Sequence, residues 1–280
     1  MRIITDSAAD FTNEELRAYD IDCVRTQVMF GEESFTPGVD LSEEEFWQRM
    51  LKGEIAKTSQ PAPEAFAEVF RKAKEKEEEA VYVGLSSALS GTLQSAKIAA
   101  EMVNYDKLHI VDTLNGAAGQ KLMVLHACRL RDEGKAKAKE IAEKIEKLRS
   151  RVRLFASLDT LDNLARSGRI PKAVASLGTL AKLKPLLEVS RDGRIVLGGK
   201  AFGRHRAIDS LAKRIAAFKI DENHPLIPLY SYDDENCCAL MKKLSSLGVK
   251  VEESMKCAIG TAIAPHIGPG AYGVTFVEAE

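Results

Sequence analysis

Residues 80–96, AVYVGLSSALSGTLQSA, limit what this chain can fold into more than any other stretch. Residues 80–85 are short and rich in β-formers and read as a buried strand. From Leu93 onward, Leu93, Ala96, Ile98, Ala99 and Met102 have helical composition and apolar spacing. The turn between them carries Ser86, Ser87, Ser90 and Thr92, with Gly91 allowing close backbone approach. Side-chain hydroxyls and free helix-start N–H groups therefore gather in one small volume, which reads as a seat for an anionic head group. A plain loop with good helix caps has the same composition, so this stretch alone leaves both readings open.

The rest of the first half repeats the strand, turn and helix theme. Residues 2–4 are a short apolar run ending in Thr5-Asp6-Ser7, and a capping box at Thr12 and Glu15 opens a short helix. Residues 21–30 read as one extended segment, and Ser42 with Glu45 caps a second helix carrying Phe46, Met50 and Leu51. A polar turn with two prolines, residues 57–63, leads into a helix with Phe66, Val69, Phe70 and Ala73 on its apolar side. Residues 108–111 form another buried strand ending in Asp112-Thr113, ahead of an apolar helix at 122–130. Strands separated by helices imply a parallel sheet covered on both faces. In such sheets ligands sit outside the carboxyl ends of the strands, so the hydroxyl turns at Thr5, Ser86 and Thr113, with the Thr58 turn, are expected to line one crevice.

A charged amphipathic helix at 140–150 ends this pattern, and the domain boundary is placed there: an N-terminal Rossmann-like α/β domain over 1–150 and a C-terminal α+β domain over 151–280. In the second half, residues 152–156 read as a strand, Leu158, Leu161 and Leu164 as a helical stripe, and residues 171–183 as a helix presenting Val174, Leu177, Leu180 and Leu183. Residues 186–190 and 194–197, joined through Asp192-Gly193, predict a β-hairpin. Helices at 207–218 and 236–247 and strands at 226–232 and 273–277 complete an α+β domain with antiparallel pairing.

Composition excludes several function classes. With 45% hydrophobic and 29% charged residues the chain can close a normal core, and its net charge of −1 gives no basic excess for nucleic acid or an acidic membrane surface. Five cysteines without C-x-x-C or histidine spacing point to reduced thiols, a cytoplasmic setting and no structural zinc. The chain shows no signal-type core of about 7–15 apolar residues at its start and no apolar run near about 18, so neither export nor membrane insertion is expected.

Two motif matches compete with the anion seat. Gly268-Pro-Gly-Ala-Tyr-Gly273 fits G-x-G-x-x-G literally, but a strand rather than a helix is expected after it, which argues against a dinucleotide site. Gly84-Leu-Ser-Ser-Ala88 is one residue short of the nucleophile elbow, and Ser86, Asp112 and His266 follow the α/β-hydrolase order, so a serine esterase or lipase-like hydrolase using Ser86 is the alternative reading. A general anion-binding module is the third. His266 lies in a glycine and proline turn, where loop position favours ligand contact and turn capping is the competing role. Several arginines, Arg169 and Arg204 among them, make the second domain locally basic, as a solvated face or as a docking site.

Seven motifs in order resemble the DegV family of fatty-acid-binding proteins. They are Ile4-Thr-Asp-Ser7, Thr58-Ser-Gln-Pro61, LSSALSGT at 85–92, Val111-Asp-Thr113, LARSGRI at 164–170, Leu183-Lys-Pro185 and HIGPGAYG at 266–273, and they span the chain. The resemblance implies two domains holding a long-chain, palmitate-like fatty acid between them, with no other cofactor and no metal. It implies a carboxylate bound by Thr58 and Ser90, with Ser86, Gly91, Thr92 and His266 as further head-group candidates. Several members present the lipid to an ATP-binding fatty-acid kinase subunit that makes the acyl phosphate, which agrees with the absence of a nucleotide motif here. On that reading the chain is a non-catalytic lipid-binding protein, and Arg169 and Arg204 are the candidates for partner contact. Two positions depart from the family pattern: Ser167 stands where many members have glycine, and Phe202 where an arginine is common, which counts against docking through that position.

Overall fold

The computed structural model describes residues 1–175 and 182–280. By Cα proximity the chain divides into two compact units, Met1–Ser150 and Arg151–Glu280. The strands of the first are β1 (Arg2–Asp6), β2 (Ile21–Val24), β3 (Gln27–Phe30), β4 (Glu33–Phe35), β5 (Ala56–Ser59), β6 (Ala80–Gly84) and β7 (Leu108–Asp112). Its helices are α1 (Asn13–Ala18), α2 (Glu43–Leu51), α3 (Pro63–Glu75), α4 (Thr92–Val103), α5 (Ala117–Asp132) and α6 (Ala138–Arg149).

Four strands form a parallel sheet in the order β2-β1-β6-β7, with Ile3 beside Ile21 and Val81. Alternation along the strands assigns the faces. Ile4 and Tyr82 join Phe66, Phe70, Leu93 and Ala96 in one core beneath α3 and α4, where the Phe66 and Tyr82 rings meet edge to face at 5.2 Å. Helices α5 and α6 pack on β1, β6 and β7. The α1 capping box forms as expected: Thr12 Oγ1 accepts from Glu15 N–H at 3.1 Å and the Glu15 carboxylate accepts from Thr12 N–H at 2.8 Å.

Two expectations for this unit are corrected. Residues 21–30 are not one strand: β2 belongs to the parallel sheet, whereas β3 pairs antiparallel with β4 and β5 in a separate three-stranded sheet. The chain is diverted at Thr26, whose N–H donates to Ser7 Oγ at 2.9 Å, and apolar residues on both sides hide the break from a periodicity reading. Thr58 is not in a turn either. It lies on β5, opposite Val28, on an edge strand whose polar residues give no alternation to read.

The second unit holds β8 (Val152–Ser157), α7 (Asp162–Arg166), α8 (Lys172–Ala175), β9 (Leu183–Val189), β10 (Ile195–Phe202), α9 (Arg204–Ala216), β11 (Ile227–Tyr230), α10 (Glu235–Ser246), β12 (Cys257–Ala258), α11 (Ala264–Ile267) and β13 (Tyr272–Val277). Its sheet runs β10-β9-β8-β13-β11-β12 and is antiparallel except for the β11 and β12 pair, which is parallel. Phe155, Tyr272, Val274 and Phe276 meet α9 and α10 in one core. The β9–β10 hairpin turns at Gly193, with φ of +82°. Of the helix expected over 171–183, Leu177 and Leu180 lie outside the described residues, and Leu183 opens β9 instead. Leu158 and Leu161 are buried but precede the short α7, so they do not form a helical stripe with Leu164. Among the described residues no helix is long and apolar enough to cross a membrane.

Candidate functional site

Between β6 and α4 the chain makes a tight turn, in which the N–H groups of Leu89 and Ser90 both donate to Ser86 O, at 3.0 and 3.2 Å. Helix α4 starts behind Gly91, which has no side chain to cap it. Ser90 Oγ accepts from Thr92 N–H at 3.2 Å and lies 2.9 Å from Thr92 Oγ1. Either hydroxyl can donate across that contact, and when Thr92 does, the Ser90 proton is available to another acceptor. A half-buried hydroxyl donor then stands at the positive end of a three-turn helix, an arrangement suited to a single negative charge.

Sequence reasoning did not single out Gln60, which joins the two motifs. Its Nε2 donates to Ser95 Oγ on α4 at 3.0 Å, and a Cβ placed on Gly91 would lie 1.9 Å from its Oε1. Gln60, the residue just past β5 and two beyond Thr58, is therefore laid directly against the start of α4. Gly91 is required by this approach rather than by its own backbone angles, which any residue can adopt. Gly91→Ala is expected to keep the fold, at a cost of about 1 kcal/mol, because the Gln60 side chain can swing away. Loss of the Gln60 side-chain amide's NMR shift from its Ser95-bound position would report the release, and an unchanged amide would contradict it.

The other hydroxyls of the strand ends do not face a crevice. Thr5 Oγ1 donates to Val83 O and Thr113 Oγ1 to Gly84 O, both at 2.8 Å and both fully buried, so they stitch neighbouring strands together. Ser86 is fully buried too: its Oγ accepts from Ala88 N–H at 3.2 Å and its N–H donates to Asn115 O at 2.8 Å. Asp112, the acid of the hydrolase reading, accepts instead from Ser87 Oγ at 2.5 Å and from the N–H groups of Leu114 and Ser87. Asp112 is thus engaged by Ser87 and the backbone of its own turn. Beneath the turn lies Asp6, a second residue the sequence did not single out. Burial pushes its carboxyl up, against the opposing pull of hydrogen bonds from Tyr82, Leu85, Ala8 and Gln120.

In the second unit His266 sits on α11, ahead of a turn in which Gly268 and Gly270 have φ of +73° and +78°. That turn is pinned by Ser231, whose Oγ donates to Gly268 O at 2.8 Å and accepts from Ala271 N–H at 2.9 Å, and it leads into β13 rather than a helix. Burial, and then the nearby Arg169 guanidinium, push the His266 imidazole down to about 4. A histidine that takes its proton near 6.5 unfolded and near 4 folded leaves stability intact above about pH 6.5. Stability is then lost as pH falls towards 4, by on the order of 3 kcal/mol in full. Urea denaturation at pH 7 and pH 5 is expected to show this slope in the native chain and a flatter one in His266→Gln; equal slopes would contradict it.

Arg169 is half-buried, its guanidinium donating to Ser167 O, and burial lowers its pKa. Arg204 opens α9 and is paired with Glu235 at 2.7 Å, while Phe202 is 53% exposed beside it.

The chain thus joins in sequence an open parallel α/β unit, with hydroxyl groups gathered at the start of one helix, to a unit built on a mixed sheet. A family profile described as an uncharacterised protein of the DegV family matches residues 1–279, and the chain belongs to that family. It is 34% identical over 281 residues to the DegV domain-containing protein YteA of Lactococcus lactis, covering 98% of this chain and 96% of that one. A fatty acid (stearic acid)-binding protein from Eubacterium ventriosum has a similar solved structure, with TM-score 0.89, 30% identity and coverage of 99% of this chain and 98% of that chain. A DegV family protein from Thermus thermophilus, described by its fatty acid binding, superposes with TM-score 0.87 and 32% identity over the full length of both chains.

Proposed function

We propose that this chain binds a long-chain fatty acid without acting on it, seating the carboxylate on Ser90 and Thr58 with Gly91 and Thr92 alongside. The observation that carries this reading is the approach of β5 to the start of α4 through Gln60 and Gly91, which brings both motifs to one place. The fatty acids named for the Eubacterium ventriosum and Thermus thermophilus structures supply the ligand class. Hydroxyl and N–H donors suit a carboxylate that must be released again, since a buried guanidinium pair would hold it more tightly.

Magnitudes divide the work between tail and head. Burying a methylene contributes about 0.8 kcal/mol, so roughly fourteen methylenes of a palmitate-like chain supply on the order of 11 kcal/mol before ordering costs. A hydrogen bond to a charged group adds about 1.5–3 kcal/mol. The tail therefore sets affinity and the hydroxyls set orientation. Transport, or presentation of the carboxylate to an ATP-binding kinase subunit, is the role we assign on the family resemblance, and a sequence without a phosphate-cradling motif agrees with it. Denaturing mass spectrometry of the purified chain is expected to release a stoichiometric fatty acid. A chain that carries none and takes up none when palmitate is added would refute the reading.

A further inference from the structure

Asp6, at the end of β1, is 1% exposed, and its carboxylate accepts four hydrogen bonds. Oδ1 takes Ala8 N–H at 3.0 Å; Oδ2 takes Tyr82 OH at 2.7 Å, Leu85 N–H at 3.0 Å and Gln120 Nε2 at 3.1 Å. Every partner is a donor, so the four bonds favour the ionised, acceptor-only form and oppose the burial that disfavours it. Tyr82 and Leu85 lie two residues before and one after Gly84, the last residue of β6, and Gln120 reaches in from α5 while also holding Thr5 Oγ1 and Val83 O. A Cβ on Gly84 would stand 2.5 Å from the Tyr82 ring and 2.7 Å from its hydroxyl, so the missing side chain is what lets the tyrosine lie towards Asp6. Three donors thus converge on one oxygen where the chain leaves the sheet for the hydroxyl turn. A buried ion is a poor means of gaining stability, since apolar replacements of similar volume often do as well, and fixing geometry is its better-attested use.

We propose that Asp6 is a positioning residue for the head-group seat. It fixes the departure of Leu85 from β6, and so the placement of Ser90 and the first turn of α4, without touching the lipid. This rests on the fatty-acid reading above. The test uses delipidated full-length chain and [1-13C]palmitate, following affinity and the carboxyl carbon resonance of the bound lipid. Asp6→Asn faces an amide donor with donors and is expected to weaken binding about tenfold and shift the bound resonance towards that of free palmitate. Tyr82→Phe removes one of the four bonds at constant ring volume and is expected to move the resonance part of the way. Ile141→Val, a buried change on α6, lowers stability and is expected to leave the resonance in place. If Asp6→Asn fails to fold, Tyr82→Phe against Ile141→Val decides alone. Native chain that binds palmitate, with Asp6 and Tyr82 variants no different from Ile141→Val, overturns the positioning role only. Native chain that shows no bound resonance overturns the fatty-acid reading and this inference with it.

Discussion

Gly273→Ala is expected to destabilise the Arg151–Glu280 unit by about 3 kcal/mol or more, beyond the ordinary range for a single methyl group. Gly273 lies on β13 inside the mixed sheet, paired with Ala156 of β8 on one side and Leu229 of β11 on the other. A Cβ there would stand 2.2 Å from Phe155 O, 2.8 Å from Ala156 Cα and 2.9 Å from Ala156 Cβ. Two of those atoms are backbone, and they can retreat only by parting two hydrogen-bonded strands. The Phe155 and Phe276 rings, stacked at 6.1 Å, would be disturbed with them. Urea denaturation measures the effect; a midpoint within experimental error of the native chain would mean that the strand pair yields far more easily than its packing indicates.

Ser90→Ala is expected to weaken palmitate binding by about tenfold or more and Thr58→Val by a similar factor, with the fold retained in both. Ser90 is half-buried and its side-chain hydrogen bonds are local, to Thr92, so its removal costs one contact at the start of α4 and leaves the sheet untouched. Shortening the ligand tests the other half of the energy division. Removing four methylenes forfeits on the order of 3 kcal/mol, roughly a hundredfold in affinity, which exceeds either hydroxyl change. Calorimetric titration of delipidated protein with palmitate and laurate checks both. Ser90→Ala binding as tightly as the native chain would remove the serine from the seat, and equal affinity for the two acids would remove the tail from its dominant place.

What could be read in advance was what local sequence determines. The strand, hydroxyl turn and helix at 80–103, the Thr12 capping box and the Asp-Gly hairpin each depend on residues a few positions apart, and each is found. The three-stranded sheet was missed because β5 joins β3 across some thirty residues and carries polar side chains on an edge. The same non-local pairing places Thr58 on a strand and sets Gln60 against Gly91. Asp6 read as one member of a Thr-Asp-Ser turn; only folding brings Tyr82 and Gln120, 76 and 114 positions away, onto its oxygen. The hydroxyls of the turn at 86–92 were legible because they cluster in sequence, and the residues packed around them were not because they cluster only in space.

A crystal structure of the chain loaded with palmitate tests the head-group assignment most directly. The expected result is a carboxylate oxygen within about 3 Å of Ser90 Oγ, with Thr58 Oγ1 donating to the same group. A carboxylate lodged elsewhere, for example in the groove lined by Phe218, Ile220, His224 and Met255, with the Ser90 hydroxyl left to solvent, would contradict it.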